Sequence, residues 1–324
     1  MRAVASLVTG VGYIGARLAL DLLDQGDEVV GLENWFSTHP HHLASLLAHP
    51  RFRLVRGSIA DPAAVRAALD LARPRVVYHL AAQPSAHPQA ASAQYTERSN
   101  LVGPRVLLEA LQGRDIQALV LAGSFKVLGD ELPAVVDESQ PYGRIGDLAH
   151  LSKIYLEKLA EMHAYRGGPR TVSVRLGITY GLGPVMKRDS HFQTVPNLFC
   201  ARVAAGEPLR VLASRAAGFI HLRDAAGALR SAAVLPAERP YQVANAAAEV
   251  YGIGEVASMV QQAAHERGLN ARIEGSTELS GARFTVRSCL ESSGLFAPRE
   301  SMREALTELL DYFKGGTTQT ASRR

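Results

Sequence analysis

The chain has 324 residues, 47% hydrophobic and 20% charged, a globular balance that excludes disorder as the main state. Its formal charge of +4, from 35 basic against 31 acidic residues, is too small and too dispersed to mark a nucleic-acid binder. No apolar run is long enough to span a bilayer, and the length suits one large α/β unit or two lobes sharing a core.

Met1 to Thr9 reads as a strand and lacks the charged, apolar and cleavage regions of a signal peptide. Strands are predicted at Val4–Thr9, Glu28–Glu33, Arg53–Arg56, Val76–Leu80, Ala118–Ala122 and Thr171–Leu176. Amphipathic helical stretches fall between them, at Gly15–Gln25, Pro62–Leu71 and Ser152–Tyr165. β-branched runs separated by helices predict a parallel sheet covered on both faces. Asp61-Pro62 marks a helix start, an N-cap acceptor before proline at the first helical position. Beyond Gly177 the alternation weakens and long loops appear at 181–194 and 207–218. Tyr241–Ala244 is a strand able to return to the sheet, and 251–313 is mixed and ends in a helix. The division expected is 1–176 with 219–245 returning to it, a second lobe over 177–313, and a disordered tail over 314–324. Cys200 and Cys289 stand far apart and outside any metal-ligand spacing, so no metal and a reducing, cytoplasmic compartment are expected.

The first strand runs into Gly10-Val11-Gly12-Tyr13-Ile14-Gly15 and a helix. Gly10 permits the turn, Gly12 lets a pyrophosphate approach the backbone, and Gly15 lets helix and strand pack closely. The helix N-terminus offers free N–H groups to phosphate. Glu33 ends the second strand, eighteen residues past Gly15, where a carboxylate accepts from both ribose hydroxyls. Its charge opposes a 2′-phosphate and no arginine follows closely, which favours NAD over NADP. Asn34, beside it, is assigned to the same cofactor site.

Seven segments, in order, resemble extended short-chain dehydrogenases/reductases of the NAD-dependent epimerase/dehydratase family. They are Val8–Gly15, Tyr78–Gln83, Asn100–Gly103, Ser124 with Val127–Gly129, Ser152-Lys153 with Glu157, Arg175–Gly181, and Gly218–His221 with Asp224. The resemblance spans roughly residues 3 to 313. It implies an α/β fold, a Rossmann-type doubly wound parallel sheet with a smaller C-terminal substrate lobe. It also implies NAD as cofactor, a small-molecule substrate, often a nucleotide sugar, and a homodimer paired through the helix from Ser152 and one between Gln89 and Gln112. By the same resemblance Leu80, Ala81 and Ala82 line the nicotinamide side, Ile59 flanks the adenine and Asn100 supports the site. Ser124 matches the residue that hydrogen-bonds the reacting oxygen, and Lys153 the one that holds the nicotinamide ribose. Only five residues are lysine, which makes one at this position informative.

The departures are equally specific. The glycine loop is one residue shorter than the family's GxxGxxG. Ser58 stands where an aspartate contacts adenine. Ala149 stands four residues before Lys153, where the family carries its catalytic tyrosine. Ile178 and Ala217 occupy positions that commonly serve a nucleotide sugar's diphosphate. His150, three residues before Lys153, is the first candidate for the proton, since imidazole titrates near neutrality. Tyr142 lies about 16 Å away along a continuous helix and serves only if the segment folds back. Tyr155 is read as core. Gln83, Lys126, Thr179 and His191 are assigned to substrate contact. Three readings follow: an NAD-dependent enzyme on a sugar-like or polyhydroxylated substrate, a ketoreductase of a non-nucleotide intermediate, and a non-catalytic NAD-binding protein.

Overall fold

The computed structural model describes residues 4–87, 89–187, 189–236 and 238–321. In chain order its principal strands are β1 (Ala5–Thr9), β2 (Glu28–Glu33), β3 (Phe52–Arg56), β4 (Val76–His79), β5 (Ala118–Ser124), β6 (Thr171–Leu176), β7 (Ile178–Tyr180), β8 (Ala216–His221), β9 (Tyr241–Ala246) and β10 (Glu249–Gly252). The helices that matter for the site are α1 (Tyr13–Asp24), α2 (Pro62–Ala72), α3 (Gly103–Leu111), α4 (Leu148–Tyr165), α5 (Val195–Ala204), α6 (Leu222–Val234), α7 (Ile253–His265) and α8 (Met302–Ala321).

Seven strands form one parallel sheet in the order β9-β6-β5-β4-β1-β2-β3. The order reverses at β1, so the crevice outside the carboxyl ends of β1 and β4 is the place where such sheets take ligands. Both faces are covered: Leu18, Leu22 and Leu229 belong to the core on one side, Leu69, Leu107 and Leu156 to the core on the other. This is why the strands read as continuous apolar runs. A second sheet, β10-β8-β7, carries a separate core around Tyr180, Phe199, Phe219 and Leu306.

The predicted Rossmann-type topology is present. Asp61 caps α2 as read, its carboxylate accepting from Ala63 N at 2.9 Å. Tyr241–Ala246 does return to the main sheet, beside β6, whereas Ala216–His221 belongs to the second sheet. Of the tail at 314–324, residues to Ala321 continue α8 and 322–324 lie outside the described residues. The helix expected between Gln89 and Gln112 is interrupted: Ala93–Glu97 passes through a π turn at Arg98–Val102 before α3. That turn aims Asn100 inward, where its amide donates to Gln83 O (2.8 Å) and Ser152 Oγ (2.9 Å) and accepts from Gln83 N (2.7 Å). No helix among the described residues is long and apolar enough to cross a membrane.

Candidate active site

A cavity of about 560 Å3 opens along the carboxyl ends of the main sheet and runs on beneath the second one. Its first end is the glycine loop. Gly10 has φ of +79°, and a Cβ there would meet the backbone of Ala81 at 2.6 Å. A Cβ at Gly15 would fall 2.0 Å from Gly10 O, so close packing demands glycine. Gly12 is different: its Cβ would meet only Thr38 Oγ1, at 3.5 Å, and would otherwise project into open space. Gly12 also precedes α1 with no side-chain cap, which leaves the first N–H groups of that helix for a ligand.

Glu33 is buried at the end of β2 and lines the same cavity. Its Oε1 accepts from the backbone N–H of Asn34 (3.1 Å) and Trp35 (3.0 Å). Burial raises its pKa, with those amides opposing the shift. Asn34 lines the cavity and donates through Nδ2 to Tyr95 OH at 3.0 Å. Ile14, Ile59, Leu80, Ala81 and Ala82 are in the wall. Tyr13 lines the cavity too, but its hydroxyl leaves for the other lobe, donating to Gly181 O (2.6 Å) and accepting from Asn197 Nδ2 (3.2 Å).

At the middle of the cavity stand Ser124, His150 and Lys153. Ser124 ends β5, and its Oγ accepts from Lys126 N at 3.3 Å. Lys153 donates to Ala122 O at 2.7 Å, and burial pushes its ammonium down to about 8. Asp147 holds His150 twice: Oδ1 accepts from His150 N (2.9 Å) as the N-cap of α4, and Oδ2 lies 2.7 Å from the ring Nδ1. With Nδ1 donating to that carboxylate, Nε2 is the nitrogen left to exchange a proton. Ala149 lines the cavity as well.

Tyr142 is not a substitute for it. Its hydroxyl donates to Glu157 Oε2 at 2.9 Å, and Arg175 stacks 5.3 Å from its ring centroid. Glu157 and Arg175 form a buried ion pair at 2.8 Å, and Ser173 also donates to Glu157. This cluster lies behind Lys153 and outside the cavity wall.

Among the remaining assignments, Lys126 and Thr179 line the cavity. Lys126 is paired with Asp130. Four others do not line it. Ser58 Oγ accepts from Ala60 N (3.2 Å) in the turn into α2. Gln83 is buried and its Oε1 accepts from Ser85 N (2.8 Å). Asn100 is spent on the bracing contacts given above. His191 pairs with Asp189 (2.8 Å) and packs on His87, ring centroids 4.3 Å apart.

Sequence reasoning missed Thr38, Thr194, Lys187, Arg215 and Phe284, all of which line the cavity. Lys187 could have been singled out, being one of five lysines. Arg215 and Phe284 reach the site from distant chain segments and carry no local signature. Phe125, Ile178, Ala217, Ile253 and Phe284 give the wall apolar surface, beside the charged Lys126, Asp130 and Arg215.

Residues 6–250 match the family described as NAD dependent epimerase/dehydratase. The chain is 29% identical over 178 residues to UDP-glucuronic acid decarboxylase 1 of Arabidopsis thaliana, covering 53% of this chain and 39% of that one. It is 30% identical over 270 residues to dTDP-4-dehydro-6-deoxy-D-allose reductase of Streptomyces bikiniensis, covering 78% and 79%. The first curated relatives are matched over only 39% to 53% of their own length. Among solved structures, UDP-glucose 4-epimerase of Bifidobacterium longum, in complex with NAD+ and UDP, superposes with a TM-score of 0.82 at 18% identity, covering 96% of this chain and 98% of that one. That likeness establishes the fold.

Proposed function

We propose, for a chain that belongs to the NAD dependent epimerase/dehydratase family, NAD-dependent oxidation and reduction of a carbinol carbon in a sugar-like or polyhydroxylated substrate, with His150 replacing the missing phenol. What carries the reading is that one cavity unites the glycine loop, Glu33 and the Ser124–His150–Lys153 group. The residues fit the cofactor. The space that a Cβ on Gly12 would fill is free, and Glu33 offers a carboxylate where ribose hydroxyls would donate. Bound NAD supplies the hydride chemistry. Ser124 donates a hydrogen bond to the reacting oxygen, and Lys153 keeps positive charge beside the alkoxide that forms. His150 Nε2 takes the hydroxyl proton on oxidation and returns it on reduction, with Asp147 holding the ring in the required tautomer.

The apolar part of the wall favours a second reading, a ketoreductase of a non-nucleotide intermediate. Ile178 and Ala217 offer a diphosphate no charged or hydrogen-bonding side chain.

Two further features belong to the proposal. Leu151, Tyr155, Met162 and Tyr165 are 54%, 38%, 43% and 58% exposed and share one face of α4. That apolar stripe is the face we assign to a homodimer. It differs from the one formed by Ile154, Leu156 and Leu159, which pack into the protein's own cores, and Tyr155 is on the surface rather than in the core. Cys200 and Cys289 are both free thiols, in keeping with a cytoplasmic protein.

Fluorescence titration with NADH and NADPH tests the cofactor assignment, with NADH expected to bind more tightly. NADPH binding as tight as NADH would remove Glu33 from the ribose site. Turnover is then assayed at saturating NAD with UDP-sugars and with uncharged cyclic secondary alcohols. Activity confined to the second set selects the second reading.

A further inference from the structure

Lys187 lies in the loop between β7 and α5, on the lobe opposite the glycine loop, yet it lines the same cavity as Gly12 and Tyr13. Its Nζ sits 6.0 Å from the Tyr13 ring centroid and 5.9 Å from that of Phe192. No carboxylate among the described residues pairs with it, although every other lysine whose side chain bounds this cavity has an acceptor, Lys126 in Asp130 and Lys153 in Ala122 O. Burial without a counter-ion pushes its ammonium down to about 8. An ammonium held between two rings and given no anion is a costly arrangement for the empty protein, and one that an anionic ligand relieves.

The loop is anchored where such a ligand would be felt. Tyr13, the residue after Gly12, donates to Gly181 O at the start of the loop. Gln193 Nε2 donates to Lys187 O at 2.8 Å and fixes its backbone. Phe192 meets Phe36, from the segment after β2, edge-on at 6.1 Å. Contacts from this loop therefore reach both the first turn of α1, at Tyr13, and the segment that follows Glu33, at Phe36.

We propose that Lys187 is a phosphate-binding residue contributed by the second lobe, closing on the pyrophosphate of a dinucleotide seated at Gly12–Tyr13. This rests on the NAD reading and adds to it a cation from the second lobe. The chemistry, ammonium to phosphate oxygen, would serve equally for a phosphorylated substrate, so the test separates the two sources.

Wild type, Lys187→Met and Lys187→Arg are titrated with NADH, ADP-ribose, adenosine and UDP. ADP-ribose carries the pyrophosphate without nicotinamide, and adenosine lacks phosphate altogether. The proposal expects Lys187→Met to weaken NADH and ADP-ribose by about 10- to 100-fold, to leave adenosine unchanged, and to be largely restored by arginine. Undiminished NADH and ADP-ribose affinity overturns it, and a loss confined to UDP assigns Lys187 to a substrate phosphate instead. Wild-type protein that binds neither NADH nor ADP-ribose defeats the cofactor reading itself, and this one with it. A circular-dichroism melt of each variant identifies a loss that comes from unfolding: a weakening that tracks destabilisation and is not restored by arginine counts against the proposal.

Discussion

Alanine at Gly12 and alanine at Gly15 are expected to fail in opposite ways. At Gly15 the new methyl would lie 2.0 Å from Gly10 O, a backbone atom that cannot rotate away. Helix α1 must shift off β1, a strain of roughly 2–3 kcal/mol or more by analogy with overpacked cores. For a large domain, 1 kcal/mol corresponds to roughly 2–4 °C in Tm, so a fall of about 4–12 °C is expected. At Gly12 the nearest atom is Thr38 Oγ1 at 3.5 Å, ordinary contact distance. Its φ of −85° suits an L-residue. Stability should therefore change by less than about 1 kcal/mol, and loss of chain entropy in the unfolded state could raise it slightly. NADH affinity should nevertheless fall at least about tenfold, equivalent to roughly 1.4 kcal/mol, because the methyl occupies the approach to the first turn of α1. Thermal melts and NADH fluorescence titrations on the two variants provide the check. A Gly12→Ala protein that binds NADH like wild type, or melts as low as Gly15→Ala, would refute the assignment of that space to a ligand.

Replacing His150 with phenylalanine should lower turnover by roughly 10²-fold or more with NADH affinity retained. Asp147→Asn should lower turnover less and also weaken the start of α4, readable as a small drop in Tm; full activity in the His150 variant would move the proton to water or substrate. Ser124→Ala should reduce turnover at nearly unchanged NADH affinity, whereas Lys153→Met should impair both. Because the Lys153 ammonium is held near 8, charge at that position is complete below this pH and is lost above it, so turnover should fall as pH rises through about 8. Buried His79, pushed down to about 3, is neutral throughout and contributes no limb; a profile flat to pH 10 would remove Lys153 from the rate-determining step. Light scattering at micromolar concentration should report a dimer, and Leu151→Glu combined with Tyr155→Glu should yield a monomer with an unchanged far-ultraviolet circular-dichroism spectrum.

Local signals were read well because local physics decided them. Glu28–Glu33 and Thr171–Leu176 match their strands to the residue, since each is a β-branched run closed by a change in composition. Most other boundaries moved by one or two residues, as element ends do, but the helix expected from Ser152 begins four residues earlier, at Leu148, capped by Asp147. The second sheet was not anticipated as such. Its strand β7 has three residues, too few for a periodicity, and its pairing with β8 joins segments far apart in sequence. The same division holds at the site. The glycine loop, Glu33, Ser124 and Lys153 announce themselves within short windows, whereas Lys187 and Arg215 depend on where long loops come to rest. Tyr155 was misplaced through helical phase. Leu156, Ala160 and Ala164 face the sheet, which turns position 155 toward solvent.

Helix α4 presents three faces with very different tolerance for change. Toward the cavity are Ala149, His150 and Lys153, residues whose replacement alters its chemistry. One turn beyond Lys153, Glu157 is locked to Arg175, and both are buried. Removing either partner alone strands a charge and costs about 3–5 kcal/mol. Toward solvent lies the apolar stripe. Laboratory evolution of this protein would therefore meet two different limits, loss of chemistry on the first face and loss of stability on the second, where paired exchange of Glu157 and Arg175 for matched apolar residues opens a path. Ala149 is the natural point of entry. Ala149→Tyr would add a phenol at a position that lines the cavity while keeping both partners of the Glu157–Arg175 pair, so an alternative acid–base group can be tried without stranding a buried charge.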